Sequence, residues 1–178
     1  MQKRALPLGT VGSSPMVRGV SSSAWRELSE RWNDDPGALL DAYVAGTTIE
    51  EWQRAIDTLR ALGWPCSYTE DGDVVPMPAN ACALFTHAKE RACLWQIRPL
   101  ETLRINSHFF VEDEIEFDLD PREIGDEQHL EVVRGFLGTL GRALHKPVGL
   151  CIEGGPPRCP DDLRYEPETD TVLIVPRF

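Results

Sequence analysis

Residues 112–127, EDEIEFDLDPREIGDE, constrain the fold more than any other stretch of the chain. Ile115, Phe117 and Leu119 alternate with acidic residues, and in a strand successive side chains point to opposite faces of the sheet. The alternation predicts a strand whose apolar side enters the core. Its other side would carry carboxylates about 7 Å apart in a row: Glu114, Glu116, Asp118 and Asp120.

The same stretch holds most of the negative charge of the protein. Its nine acids and one base, Arg122, leave a charge of −8, whereas the whole chain of 178 residues carries −11. Charge of this kind disfavours nucleic acid and anionic membranes as partners, and it favours a basic partner or a cation. A hydrophobic fraction of 42% and a charged fraction of 26% are ordinary for a soluble globular protein.

Cysteine usage and the start of the chain indicate a cytoplasmic location. The five cysteines are an odd number without a CxxC pair, which favours reduced thiols. We expect Cys151, in the apolar run VGLCI, to be buried and inert, and Cys159 lacks a histidine partner for catalysis. No apolar run is long enough to span a membrane. The Gly-, Ser- and Pro-rich residues 1–22 predict a flexible tail rather than a signal peptide.

Residues 23–78 are predicted to form a helical segment with a hairpin, and this segment is a candidate subdomain. Two short helices are expected within residues 22–45, in AWRELSERW and NDDPGALLDAYVAG. A clearer helix starts at Thr48, which has the spacing of a capping box with Glu51. The dipeptide Asp71–Gly72 then predicts a hairpin turn.

Residues 79–178 are predicted to form an α+β core domain, with an antiparallel or mixed sheet and a long helix packed on one face. Strands are expected at 92–98, 102–110, 114–120 and 148–152, and LRYEPETDTVLIVP predicts a final hairpin. Leucine and valine at spacings of three and four predict a helix over about 126–145. Three glycines in this helix predict either a face that lies close to the sheet or a frayed helix: Gly135, Gly138 and Gly141.

The acidic side of the predicted strand has three interpretations. It could be a solvated face that keeps an edge strand from pairing with other chains. It could instead be a docking surface for a basic protein, since opposed potentials speed encounter and fix register. In that case the contact residues are Glu114, Glu116, Asp118, Asp120 and Arg122.

The third interpretation is a divalent-metal site that serves a hydrolase. Carboxylate oxygens suit magnesium and calcium, and the candidate ligands are Glu116, Asp118, Asp120 and Glu153. A calcium-binding EF-hand loop does not fit, because Glu123 stands where that loop needs glycine and His129 where it needs its closing glutamate.

Other motifs that would carry chemistry are missing from the sequence. The four histidines have neither HExxH nor zinc-finger spacing. We expect His108, which precedes Phe109–Phe110, to be a hydrogen-bonded structural residue, with a role as a base as the alternative. Residues 154–157 (GGPP) cannot cradle a phosphate, because proline has no N–H to donate. No cofactor motif is present, so no cofactor is expected.

Three segments resemble small bacterial immunity proteins, which bind and neutralise toxins used in competition between bacteria. They are FFVEDEIEFDLDPREI, GRALHKPVGLCIEG and DDLRYEPETDTVLI, and the resemblance extends over about residues 48–178. It implies a non-enzymatic, cytoplasmic, acidic binding protein with a mixed α/β fold and a cognate toxin as its partner. Toxins that act on nucleic acid are often basic, so an acidic surface would suit a basic toxin.

Overall fold

The computed structural model describes residues 22–34, 37–153 and 161–176. The predicted tail, apart from Ser22, and Cys159 lie outside these residues. The helices are α1 (Ser22–Asn33), α2 (Ile49–Ala61), α3 (Ala81–Ala88) and α4 (Glu127–Leu144), with a 3₁₀ turn at Pro121–Glu123. The strands are β1 (Leu40–Ala45), β2 (Cys66–Glu70), β3 (Asp73–Val74), β4 (Cys93–Leu100), β5 (Leu103–Ser107), β6 (Glu114–Leu119), β7 (Val148–Ile152), β8 (Leu163–Glu166) and β9 (Thr171–Ile174).

The nine described strands form one sheet in the order β3-β2-β4-β5-β6-β1-β7-β8-β9. Every pair of neighbours is antiparallel. The α+β class and the antiparallel sheet predicted from the sequence are therefore confirmed. No described helix has the length and apolar character needed to cross a membrane.

The prediction of a second short helix within residues 22–45 is wrong, because residues 40–45 form strand β1. In LDAYVA, Leu40, Ala42 and Val44 are buried, with the period of two that a strand requires. β1 pairs with β6 on one side and β7 on the other, so contacts far apart in the chain determine its conformation.

Strand β6 has the predicted alternation, but it does not lie at an edge of the sheet. Its neighbours are β5 and β1, and four strands lie on each side of it. The interpretation of its acids as a guard against edge-to-edge pairing is therefore wrong. Ile115, Phe117 and Leu119 are completely buried, as predicted.

The long helix predicted over 126–145 is α4, and it packs on β7, β8 and β9. Phe136 of α4 meets Phe117 of β6 edge-on, with ring centroids 5.2 Å apart. The glycines of α4 differ in their surroundings: a Cβ at Gly141 would lie 2.0 Å from the ring of Tyr165 in β8, whereas one at Gly135 would meet nothing within 4 Å. The close approach to the sheet is thus real at Gly141 and absent at Gly135.

One predicted helix cap and one predicted turn are confirmed. Thr48 and Glu51 form the predicted capping box at the start of α2. Asp71 and Gly72, with φ angles of 51° and 90°, make the turn between β2 and β3. Helix α3 was not predicted, although Asn80 caps it by accepting a hydrogen bond from the Ala83 N–H.

Helix α1 is fastened to the sheet through a buried carboxylate. Asp162, which precedes β8 and is completely buried, accepts hydrogen bonds from Arg31 Nη1 at 2.5 Å and Trp32 Nε1 at 2.8 Å. The sheet also draws on both parts of the predicted division at residue 78, because β1 to β3 precede that position and β4 to β9 follow it. The division into two domains stays a prediction.

Candidate functional site

The acidic side chains of β6 lie on the face of the sheet opposite α4. Phe117 points toward α4, so Glu116 and Asp118, its neighbours in the strand, point the other way. Glu114, Glu116 and Asp118 are all partly exposed. Three of the five residues that the sequence analysis proposed for partner binding therefore share one face of the central strand.

A fourth acid, which sequence reasoning missed, joins this row from the neighbouring strand. Asp41 of β1 lies directly opposite Asp118 of β6 in the antiparallel register. One carboxylate oxygen from each of Asp41, Glu116 and Asp118 lies within 4.8 Å of the other two. We call these three residues the acidic centre. Asp41 is 9% exposed, so the acidic centre is partly desolvated.

The surroundings of Glu116 in the acidic centre disfavour its ionised form. Burial raises the pKa of Glu116 to about 7, and the negative charges of Asp41, Asp118 and Glu114 act in the same direction. His108 lowers this pKa, but it does not offset the other effects. Glu116 therefore takes up a proton at a higher pH than an ordinary glutamate does.

His108 borders the acidic centre. Its Nε2 lies 3.1 Å from Asp118 Oδ2, and this hydrogen bond raises the pKa of the imidazole. Its ring stacks on Phe110 with centroids 5.3 Å apart and planes 10° from parallel. The expected structural role is consistent with these contacts, since His108 joins the acidic centre to the loop that follows β5.

The other two proposed contact residues pair with each other at the end of β6. Asp120 accepts hydrogen bonds from the Arg122 guanidinium at 2.8 and 2.6 Å and from the Arg122 N–H at 2.9 Å. Asp120 also caps the 3₁₀ turn that begins at Pro121. The Arg122 guanidinium beside it lowers the pKa of Asp120. This pair is compensated locally and is distinct from the acidic centre.

The metal ligands proposed from the sequence are only partly brought together. Glu116 and Asp118 belong to the acidic centre, whereas Asp120 is held by Arg122 and Glu153 lies exposed in the turn after β7. The close group within the described residues takes Asp41 as its third member instead. Three carboxylates at such spacing offer oxygen ligands of the kind that divalent cations prefer.

Arg164, a positive side chain on the β8 side of this face, is already engaged. Arg164 of β8 donates to Asp161 at 3.1 Å and to Glu166 at 2.7 Å. The Tyr43 hydroxyl donates to Asp161 Oδ1 at 2.5 Å, and burial together with this bond raises the pKa of Tyr43. Arg164 is thus held by carboxylates outside the acidic centre.

One other cluster has the layout of a catalytic triad, but its bonds are those of a helix cap. His129 Nδ1 lies 2.6 Å from Asp126 Oδ1, and His129 Nε2 lies 2.9 Å from Thr102 Oγ1. The same Asp126 oxygen accepts the His129 N–H at 2.9 Å, which caps the start of α4. We therefore assign this cluster to the helix terminus.

Comparison of the chain with protein-family models, with curated proteins and with solved structures gave no match. The acidic centre and its surroundings are therefore the part of the molecule from which a function can be inferred. Chemically, that arrangement can accept a lysine ammonium, an arginine guanidinium or a divalent metal ion.

Proposed function

We propose that this protein is a non-enzymatic binding protein of the immunity type, acting in the cytoplasm. In this proposal it neutralises a basic protein toxin by receiving a lysine or arginine of the toxin at the acidic centre. Glu114 extends the contact along β6, and Arg122 with Asp120 lies at its end. The resemblance of the acidic strand, the long helix and the final hairpin to immunity proteins supports this choice of partner.

The observation that carries the proposal is the clustering of Asp41, Glu116 and Asp118, whose carboxylate oxygens lie within 4.8 Å of one another. Burial and this crowding together raise the pKa of Glu116 to about 7. Like charges held together weaken each other's ionised state, and a cation placed among them relieves that repulsion. A positive side chain from a partner would thus relieve the repulsion among the carboxylates, and this relief would add to the binding free energy. Complementary charges of this kind raise association rates and fix the register of a complex.

The rigidity of the site also supports the proposal. Asp41, Glu116 and Asp118 stand on the two central strands of the sheet, and the strands place them in fixed register. Sites built on strands are held more accurately than sites on loops. A preformed site loses less conformational entropy when the partner binds.

The test is co-expression with the protein encoded by the neighbouring reading frame, which the proposal expects to be a toxin, followed by measurement of their affinity at several salt concentrations. Reversal of Glu116 and Asp118 to lysine should abolish protection of the bacteria and weaken binding by about a hundredfold at low salt. The matched control reverses Glu101 and Glu168, which lie in exposed turns, and changes the net charge equally. It should weaken binding by less than about threefold.

The neutral variant Glu116→Gln with Asp118→Asn covers the case in which the lysine variant fails to fold. It should weaken binding by about tenfold and flatten the salt dependence. Unchanged affinity in a folded double variant would reject the acidic centre as the contact site. Failure of the wild-type protein to bind or protect would reject the immunity function.

A divalent-metal-dependent hydrolase is the second candidate, favoured by the spacing of the carboxylate oxygens of Asp41, Glu116 and Asp118 within 4.8 Å. Calorimetric titration with magnesium, manganese and calcium distinguishes it from the first. A metal site predicts binding that Asp41→Ala weakens strongly, since one ligand is lost. Absence of heat at millimolar metal would leave the hydrolase without its centre.

A further inference from the structure

The loop between β5 and β6 exposes two large apolar side chains beside the acidic centre. Phe110 is 73% exposed and Val111 is 47% exposed. They border a groove of about 460 Å³ lined by Phe85, Ala88, Lys89, Phe109, Phe110, Val111, Glu112 and Asp113. An exposed apolar patch with a charged rim is typical of an interaction site.

The backbone of this loop has an energetically unfavourable conformation at Phe109. Phe109 has a φ of +58°, a left-handed conformation that costs a non-glycine residue about 1–3 kcal/mol. Its buried ring offsets this cost by packing against Trp52 at 5.4 Å and Phe85 at 6.0 Å between centroids. With Phe109 turned inward, the adjacent Phe110 is left at the surface.

Three further contacts hold the loop in place. Thr47 donates from its N–H to the Asp113 carbonyl at 2.9 Å and from its hydroxyl to the Glu112 carbonyl at 3.1 Å. Phe110 stacks on His108, which itself bonds to Asp118 of the acidic centre. Phe110 and His108 therefore link the groove to the acidic centre.

The groove rim is negative despite one lysine. Glu112 and Asp113 contribute two acids, and Lys89 lies 3.7 Å from Glu112, with both side chains more than half exposed. An ion pair at this distance, with both side chains exposed to solvent, is weak, and either residue can readily pair with another partner. The rim of the apolar groove thus carries a net negative charge.

We propose that this groove and Phe110 receive an apolar side chain of a basic protein, whose adjacent lysine or arginine contacts the acidic centre. The inference rests on the proposed binding function and specifies its partner by chemistry. Binding energy concentrates in a buried anchor surrounded by polar contacts, and Phe110 with the groove supplies such an anchor. Charge complementarity selects a basic partner, because the rim and the acidic centre repel an acidic one.

A second copy of this chain does not suit the surface. A two-fold contact through the groove would bring the acidic rim of one copy, Glu112 and Asp113, close to the same rim of the other. The repulsion between these rims opposes such a dimer, whereas a basic chain is attracted.

The test uses two short lysine-rich peptides of equal charge, one with a central phenylalanine and one with serine in its place. Backbone amide NMR spectra of the full chain follow each titration. The phenylalanine peptide should bind about tenfold more tightly and shift the amide signals of residues 108–113 as well as β6. The serine peptide should shift mainly β6, with an affinity that falls as salt is added.

The variant Phe110→Ser should remove the advantage of the phenylalanine peptide and leave the serine peptide unaffected. Since Phe110 is exposed, this change leaves the core intact. Leu173→Ser, at a half-exposed position in β9, is a matched control that should change neither affinity.

Equal affinity of the two peptides for the wild type would overturn the groove assignment while the acidic contact stands. If neither peptide binds, the proposed function fails as well. Sedimentation that shows a dimer lost in Phe110→Ser would assign the groove to a second copy and overturn the proposal.

Discussion

Glu116 has the most informative ionisation equilibrium among the described residues. Its pKa lies near 7 because burial and three neighbouring carboxylates oppose its charge. Since the folded-state pKa exceeds the ordinary value of 4.5, the folded protein binds this proton more tightly than the unfolded chain does. The stabilising contribution is complete below about pH 4.5 and is lost as the pH rises through 7.

The variant Glu116→Gln cannot ionise, so it should escape this loss. Relative to the wild type, its free energy of unfolding should rise by about 1 kcal/mol between about pH 5 and pH 8, after allowance for solvent screening. Urea unfolding at both pH values measures the difference. Glu101→Gln, in an exposed turn, should gain less at pH 8. An equal gain in both variants would contradict the role of the acidic centre.

At the scale of single residues, the sequence predicts that the acids of β6 share one face, but it does not predict that Asp41 joins them. The alternation in residues 114–119 predicts which side chains share a face, because it depends only on the period of a strand. Asp41 is adjacent to Asp118 through the β1–β6 pairing, and no local pattern reports which strands will pair.

Among the elements, those with a strong local signal were predictable. The capping box of α2, the Asp71–Gly72 turn and the apolar stripe of α4 all depend on residues close in the chain. The sequence of residues 40–45 also predicts a helix, because their apolar residues fit a short helical stripe as well as a strand. Hydrogen bonding to β6 and β7 makes this segment a strand.

The packing of α4 on the sheet is testable with two glycines of the same helix. Gly141→Ala should lower the free energy of unfolding by about 2–3 kcal/mol, because the new methyl group would overlap the Tyr165 ring. Gly135→Ala meets nothing within 4 Å and should raise stability by up to about 1 kcal/mol through helix propensity. Thermal unfolding of both variants checks the pair. A stabilising Gly141→Ala would show that α4 lies farther from β8.

At the scale of the whole molecule, the sheet brings together strands from before and after residue 78, the predicted domain boundary. Its centre consists of β6 and β1, which lie about 70 residues apart in the sequence. Such pairing pays the entropy of closing a long loop before its contacts form, and so it leaves little trace in local sequence. The class of fold was predictable from its elements, whereas the strand order was not.

Helix α1 should depend on the buried Asp162 for its attachment to the sheet. Asp162→Ala leaves Arg31, whose side chain is 14% exposed, without its buried partner and should cost about 3 kcal/mol. Hydrogen exchange should speed up in α1 before the rest of the fold. Glu27→Ala, which removes the exposed partner of the same arginine, should cost less than about 0.5 kcal/mol. Equal costs would contradict this account of the attachment.

The most direct measurement is an NMR titration of the Glu116 side-chain carboxyl, in the free protein and with the lysine-rich phenylalanine peptide bound. The pKa should lie near 7 in the free protein and fall when the peptide brings its positive charge to the acidic centre. An ordinary carboxyl pKa in the free protein, or a raised pKa that the bound peptide leaves unchanged, would contradict the claim that the acidic centre receives a cation.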